Sequence, residues 1–154
     1  MKRKEHITSF YLETLLLIVV FVGIILVMTQ VFGMARARSS QAKEKTSAVC
    51  LCQNAAEAFA AADSSQELVN LLNDNHNVFL ESADDNQGLV NAFYNTDRKP
   101  NENGSLKIEI SWKKDAVGKP AADKILRHAK IRALKKEKVI YELETSAYSE
   151  EGWK

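Results

Sequence analysis

Proline and cysteine are scarce in this chain. Two of each occur among 154 residues, and no proline precedes Pro100. The N-terminal part therefore lacks the residue that removes a helical N–H and clashes with the turn before it. The two cysteines, Cys50 and Cys52, form a C-x-C pair in a stretch that reads as helix. Residues two apart on a helix point about 200° apart, so they neither bridge each other nor share a metal. They read as small apolar helix residues, with an intermolecular disulfide as the open alternative. His6, His76 and His128 are far apart in sequence, so no zinc ligand set is completed. No P-loop, dinucleotide-binding glycine pattern or G-x-S-x-G elbow occurs. Nor is one sign of charge in excess. Lys and Arg total 21, Asp and Glu 20, and the net charge of +1 gives no global field for nucleic acid. The reading is of a non-enzyme with no catalytic or metal-binding residues, no cofactor and no nucleic-acid partner.

Isolated polar groups do not change this. Asp84-Asp85-Asn86 has the composition of a calcium-loop start, but the further ligands and the terminal glutamate of an EF-hand are missing, so it reads as solvated loop. Lys135-Lys136-Glu137-Lys138 has no interleaved aromatics and reads as a strand-to-strand turn rather than a DNA-binding patch. His128 falls on the wet side of its strand, and Trp112 on the core side.

What the sequence does have is one long apolar run. Phe10 to Met34 reads FYLETLLLIVVFVGIILVMTQVFGM, with no charge from Leu15 onward. About 20 apolar residues rising about 1.5 Å each match a hydrocarbon core of about 30 Å. A core helix of a soluble protein shows a polar face at helical period, and Leu15 to Val27 has none. Residues 9–34 are therefore expected to cross the lipid bilayer once. The alternative is a cleaved signal ending at Ala35-Arg36-Ala37. It is disfavoured by the length of the run and by the arginine inside the site. Lys2, Arg3 and Lys4 precede the span, and Arg36, Arg38, Lys43 and Lys45 follow it, so charge alone does not orient it. The shortness of residues 1–8 favours the N-terminus inside and the C-terminal domain outside the cytoplasmic membrane. Glu13 interrupts the pattern. It lies either at headgroup depth in a first helical turn, where the macrodipole suits it, or beside a cation from another chain.

After Met34 nothing stops the helix. Ala35, Arg36, Ala37, Arg38 and Gln41 to Lys45 are good helix formers. Val49, Cys52, Ala56 and Phe59 then recur at spacings of three and four, a narrow apolar stripe. One helix is expected from about Ser9 to about Ala62, its part beyond the membrane being residues 35–62. Ser64 and Glu67 have capping-box spacing, which predicts a second helix over Ser65–Leu72 that buries Leu68, Leu71 and Leu72. Asn73 to Asn77 reads as loop, and Val78-Phe79-Leu80 as a short apolar run of no assigned structure. From Phe93 the period changes to two, giving strands at Phe93–Thr96, around Leu106–Trp112, around Ile125–Ala133 and over Val139–Ala147. Asp97 to Gly104 and Asp115 to Asp123 separate them as loops, and 149–154 forms a polar tail. A single sheet with one apolar face needs a cover, and the helical stripe is the obvious one. The expected fold is α+β: a long N-terminal helix packed on a small antiparallel sheet of about four strands, with residues 63–148 as the domain.

This layout resembles that of type IV pilins and pseudopilins. Phe10-Tyr11-Leu12-Glu13-Thr14-Leu15-Leu16 is similar to the family's phenylalanine-led apolar helix with a glutamate near its start, behind a short basic leader. Val49 to Phe59, VCLCQNAAEAF, is similar to the amphipathic stretch of minor pseudopilins with its Gln-Asn-x-Ala-Glu-Ala pattern. The resemblance covers Met1 to about Ala62; the strands match in layout only. It implies assembly through the N-terminal helix with other pilin-like subunits, Glu13 and Phe10 being the assembly residues. It also implies a prepilin peptidase acting between Thr8 and Ser9. Two features depart from the pattern. Thr8 stands where the family has glycine, and the proline common midway along the family's membrane helix is absent. Two functions follow as expectations. One is a structural subunit of a type IV pilus, type II secretion or DNA-uptake filament. The other is a single-pass anchor whose outer domain binds a partner without polymerising.

Overall fold

The computed structural model describes residues 2–72, 77–84, 86–114 and 124–150, and the side chains among them from Phe10 to Tyr148 except that of Lys124. The loops expected at 73–76 and 115–123, together with Asp85 and residues 151–154, lie outside this range. The chain divides into two compact units, Met1–Ala42 and Lys43–Lys154.

Helix α1 is a single element of 60 residues, Lys2–Ala61. It begins at Lys2 rather than near Ser9. Lys, Arg and Glu are good helix formers, and no capping signal before Phe10 is strong enough to start the helix later. The Ala62 N–H donates to the Ala58 carbonyl (3.0 Å), and the helix ends there. A capping box restarts it. The Glu67 N–H donates to Ser64 Oγ (3.1 Å), and the Asp63 N–H donates to the Glu67 carboxylate (2.8 Å). Helix α2, Ser65–Leu72, has the expected bounds. Its buried stripe is Ser65, Leu68, Val69 and Leu72. Leu71, expected inside, is 50% exposed, because the i, i+3, i+4, i+7 stripe that starts at Ser65 leaves it on the opposite side.

Five strands follow, not four: β1 (Val78–Ala83), β2 (Gln87–Tyr94), β3 (Leu106–Lys114), β4 (Lys124–Lys135) and β5 (Lys138–Glu150). They form one antiparallel meander in sequence order. Of the strand expected at Phe93–Thr96 only Phe93 and Tyr94 are in a strand, while Asn95 and Thr96 already belong to the turn that follows. Phe93 and Tyr94 end β2, which begins at Gln87. Its covered face is Gly88, Val90, Ala92 and Tyr94; two of these are too small to give an apolar signal, and Asn91 between them is itself buried. Strand β1 was illegible because only Val78 of its six residues is buried. On β3 the alternation is as expected, with Leu106, Ile108, Ile110 and Trp112 all buried.

Strands β4 and β5 join through Lys136 and Glu137, both at positive φ (48° and 64°), the conformation that matches a two-residue turn to strand twist. Just beyond it the register skips. Ala133 faces Tyr141 while Leu134 faces Val139, so Ile140 is an extra, bulged residue. The bulge moves Val139 off the face of Tyr141, Leu143, Thr145 and Ala147 with which the alternation had grouped it, and Val139 is 41% exposed. Strand β5 also runs to Glu150, so the tail expected from Ser149 begins inside the strand.

The core lies between the sheet and the helices. Ala48, Leu51, Cys52, Ala55, Phe59 and Ala62 are buried with Leu68, Val90, Ile108, Ile110, Trp112 and Ile131 in one cluster. Of the expected stripe, Cys52 and Phe59 are fully inside, whereas Val49 and Ala56 are half-buried at its margin. The helix is turned slightly from the expected angle, and Ala48, Leu51 and Ala55 supply the missing contacts. Phe59 reaches the Trp112 ring, with centroids 6.4 Å apart.

Candidate functional site

In the unit Met1–Ala42 the informative feature is a surface. Every large apolar side chain from Phe10 to Met34 is between 49% and 71% exposed. A core helix buries such a face, and none of this segment is buried. It is one helix near the N-terminus, long and apolar enough to cross a membrane. Its polar groups are handled within the helix. Thr14 Oγ donates to the Phe10 carbonyl and Thr29 Oγ to the Ile25 carbonyl, each at 2.9 Å. A hydroxyl satisfied four residues back carries little penalty in a medium without water. Phe10 stands edge-to-face with Tyr11, centroids 6.3 Å apart. Glu13 is exposed on this helix, and no ion pair of Glu13 is found among the described residues. Thr8 and Ser9 are helical.

In the unit Lys43–Lys154 the first turns of helix are fastened to the ends of the sheet. Lys43 Nζ donates to Asp97 Oδ1 (2.7 Å), and Ser47 Oγ donates to the Thr96 carbonyl (2.9 Å). Lys135 Nζ donates to Glu44 Oε1 (2.5 Å). The Lys43 ammonium, hydrogen-bonded to Asp97, holds that carboxyl below its usual range. The receiving loop is rigidly built. Asn95 Oδ1 accepts the N–H groups of Asp97 and Lys99, and Arg98 adopts φ 63° in the turn this makes. An open hollow of about 270 Å³ lies here, lined by Lys43, Thr46, Ser47, Thr96, Asp97 and Arg98. Its best cation is already engaged by Asp97, and it contains no nucleophile–base pair. Sequence reasoning missed these fasteners, because pairs 54 and 91 residues apart leave no periodic trace.

The face of the sheet turned away from the helices is charged. Arg132 pairs with Glu109, Lys107 also approaches Glu109 (3.8 Å), and Lys130 meets Glu142 (2.7 Å) and Glu144 (3.8 Å). The hydrogen bond that Lys130 donates to the Glu142 carboxylate raises the pKa of the ammonium above its ordinary value. Asn91 donates to Glu81. His128 is exposed on this face, its Nδ1 2.6 Å from Ser146 Oγ, and Trp112 is buried on the other. Among the described residues no group of three or more His, Cys, Asp or Glu side chains converges as a metal site. Cys50 and Cys52 are both free thiols. Burial pushes the Cys52 thiol up to about 12. Compared with family models, curated proteins and solved structures, the chain matches none.

Proposed function

We propose that this chain is a membrane-anchored, pilin-like structural subunit, a minor pseudopilin, of a type IV pilus, type II secretion or DNA-uptake filament. The observation that carries the reading is the make-up of α1. One unbroken helix holds a fully exposed apolar segment and, in its last turns, the residues that cover the sheet. In this reading Phe10 to Met34 lies in the cytoplasmic membrane, the N-terminus is inside, and residues 43–150 stand on the outer side. Assembly proceeds by lateral packing of apolar helices. Glu13 supplies the specificity: a carboxylate in lipid is tolerable when an opposite charge is held beside it, and such a pair fixes the stagger between neighbours. The terminal amine of a neighbouring subunit is the natural cation once a prepilin peptidase has cut between Thr8 and Ser9.

The residue at the candidate cut favours a second reading, a single-pass anchor with an outer binding domain. Thr8 replaces the glycine of the family's processing site, and an uncut chain leaves Glu13 at the membrane interface without a partner. Mass spectrometry of the N-terminus from native membranes separates the two. The filament reading expects a mature chain beginning at Ser9. An intact Met1 terminus, together with unchanged co-purification of pilin-like subunits in Glu13→Ala, overturns it.

A further inference from the structure

The two edges of the sheet are unlike. Edge strand β1 is short and carries a register break at Glu81, the pattern by which proteins blunt an edge. Edge strand β5 has 13 residues and no proline, and its register with β4 is unbroken from Tyr141 to Glu150. Among the described residues no strand pairs with its other side. A long, regular, unpaired edge presents backbone N–H and C=O groups to any extended segment that fits the side chains around it.

The side chains define that segment. On the covered face Tyr141, Leu143, Thr145 and Ala147 are only half-buried, and Tyr141, Leu143 and Ala147 pack against the rim of the core. Among the described residues the cover is therefore thinner over β5 than over β3, whose covered-face residues are buried. On the outer face one ammonium, Lys130, serves two carboxylates, Glu142 at 2.7 Å and Glu144 at 3.8 Å. The Glu144 side chain is 75% exposed. A cation arriving on the open side of β5 completes this row, as Lys130 does on the β4 side. Opposite charges across strands are favourable and like charges unfavourable.

We propose that β5 is a docking edge for an extended segment of a partner protein whose residues alternate between apolar and basic, added to the sheet as a further strand. A second copy of this chain fits less well. Self-pairing about the middle of β5 sets Glu144 against Glu144, and β1 of another copy brings Glu81, a further carboxylate. This inference stands on the sheet alone and goes beyond the filament reading.

The test uses the full chain in detergent micelles and a short labelled peptide of alternating isoleucine and lysine, followed by fluorescence anisotropy and by amide exchange in residues 138–150. Binding with slowed exchange in β5 is expected. The isoleucine–glutamate counterpart should bind about tenfold or more weakly, as should the parent peptide to Glu144→Lys. The fully N-methylated isoleucine–lysine peptide, which keeps its charge but cannot pair, should not protect β5. Equal binding of the N-methylated peptide reduces the contact to charge or micelle adsorption and overturns the proposal. So does protection, without any peptide, of the β5 amides that do not bond to β4, accompanied by an oligomeric mass that Glu144→Lys reduces, since the edge is then occupied by a second copy.

Discussion

Gly88 faces Trp112 across the β2–β3 ladder, and the ring lies where a side chain at Gly88 would stand. A Cβ built there falls 2.0 Å from Trp112 Cζ2. The ring is 1% exposed and packed near Phe59, so it has nowhere to move. Gly88→Ala removes the entropic penalty of glycine in a strand, about 0.5–1 kcal/mol, but the overpacking cost of about 1–3 kcal/mol is larger. A net loss of stability with altered Trp112 fluorescence is expected, read by thermal melting of the full chain in detergent; an unchanged melt refutes the contact. Cys52 makes a second residue-level prediction. Its thiol ionises at about 12 in the folded chain against an ordinary 9.0. Because the folded value is raised, the stability from this group is complete below 9.0 and declines as pH climbs toward 12. At about pH 10 the loss is about 1 kcal/mol. Urea titrations at neutral and alkaline pH should show a steeper decline for the natural chain than for Cys52→Ala. In the folded state thiol reagents should modify half-buried Cys50 before buried Cys52.

Elements were legible where spacing and size carried the signal together. The bounds of Ser65–Leu72 were legible because the Ser64–Glu67 box marks its start, whereas its buried face was legible only in part, since Leu68 and Leu72 lie inside and Leu71 does not. The covered face of β3 was read in full because its residues are large. Strand β2 was missed over most of its length because glycine and alanine occupy the positions under Trp112 and the helix. The exposure of Val139 was missed because a bulge cancels alternation, and nothing in Val139-Ile140-Tyr141 announces one. The hairpin before it predicts its own improvement. Glu137 holds φ 64°, which costs an L residue about 1 kcal/mol and glycine almost nothing. Glu137→Gly should therefore stabilise by roughly 0.5–1 kcal/mol, whereas Lys138→Gly, at the ordinary backbone of a strand, should destabilise. For the helix–sheet contact the sharper substitution is Phe59→Asp. It places an unpaired carboxylate in the centre of the core at a cost of several kcal/mol. A normal melting temperature would show that Phe59 does not lie between helix and sheet.

At the scale of the whole molecule, the apolar segment was readable from composition alone, whereas the fasteners were not. Lys43–Asp97, Glu44–Lys135 and Ser47–Thr96 join points far apart in sequence, and only the folded meander brings them together. They also mark where helix α1 enters the unit Lys43–Lys154. This fixes how the chain can be divided. A fragment of residues 43–154 keeps every buried residue of the core, including Ala48, Leu51, Cys52, Ala55 and Phe59, and loses the exposed apolar surface that requires detergent. It should be soluble without detergent, unfold cooperatively, and give dispersed amide resonances. A fragment of residues 63–154 loses the helical cover. Truncating one buried phenylalanine costs about 3–5 kcal/mol, and a domain of this size has about 5–15 kcal/mol in all. Removing Phe59 together with Leu51, Cys52 and three alanines of the cluster exceeds that reserve. Residues 63–154 alone should therefore be unfolded or aggregated. If that shorter fragment instead gives a cooperative transition with Trp112 in its native environment, the sheet has its own core. The last turns of α1 are then an accessory to it, and a helix that binds lipid at one end and holds the domain together at the other no longer describes this chain.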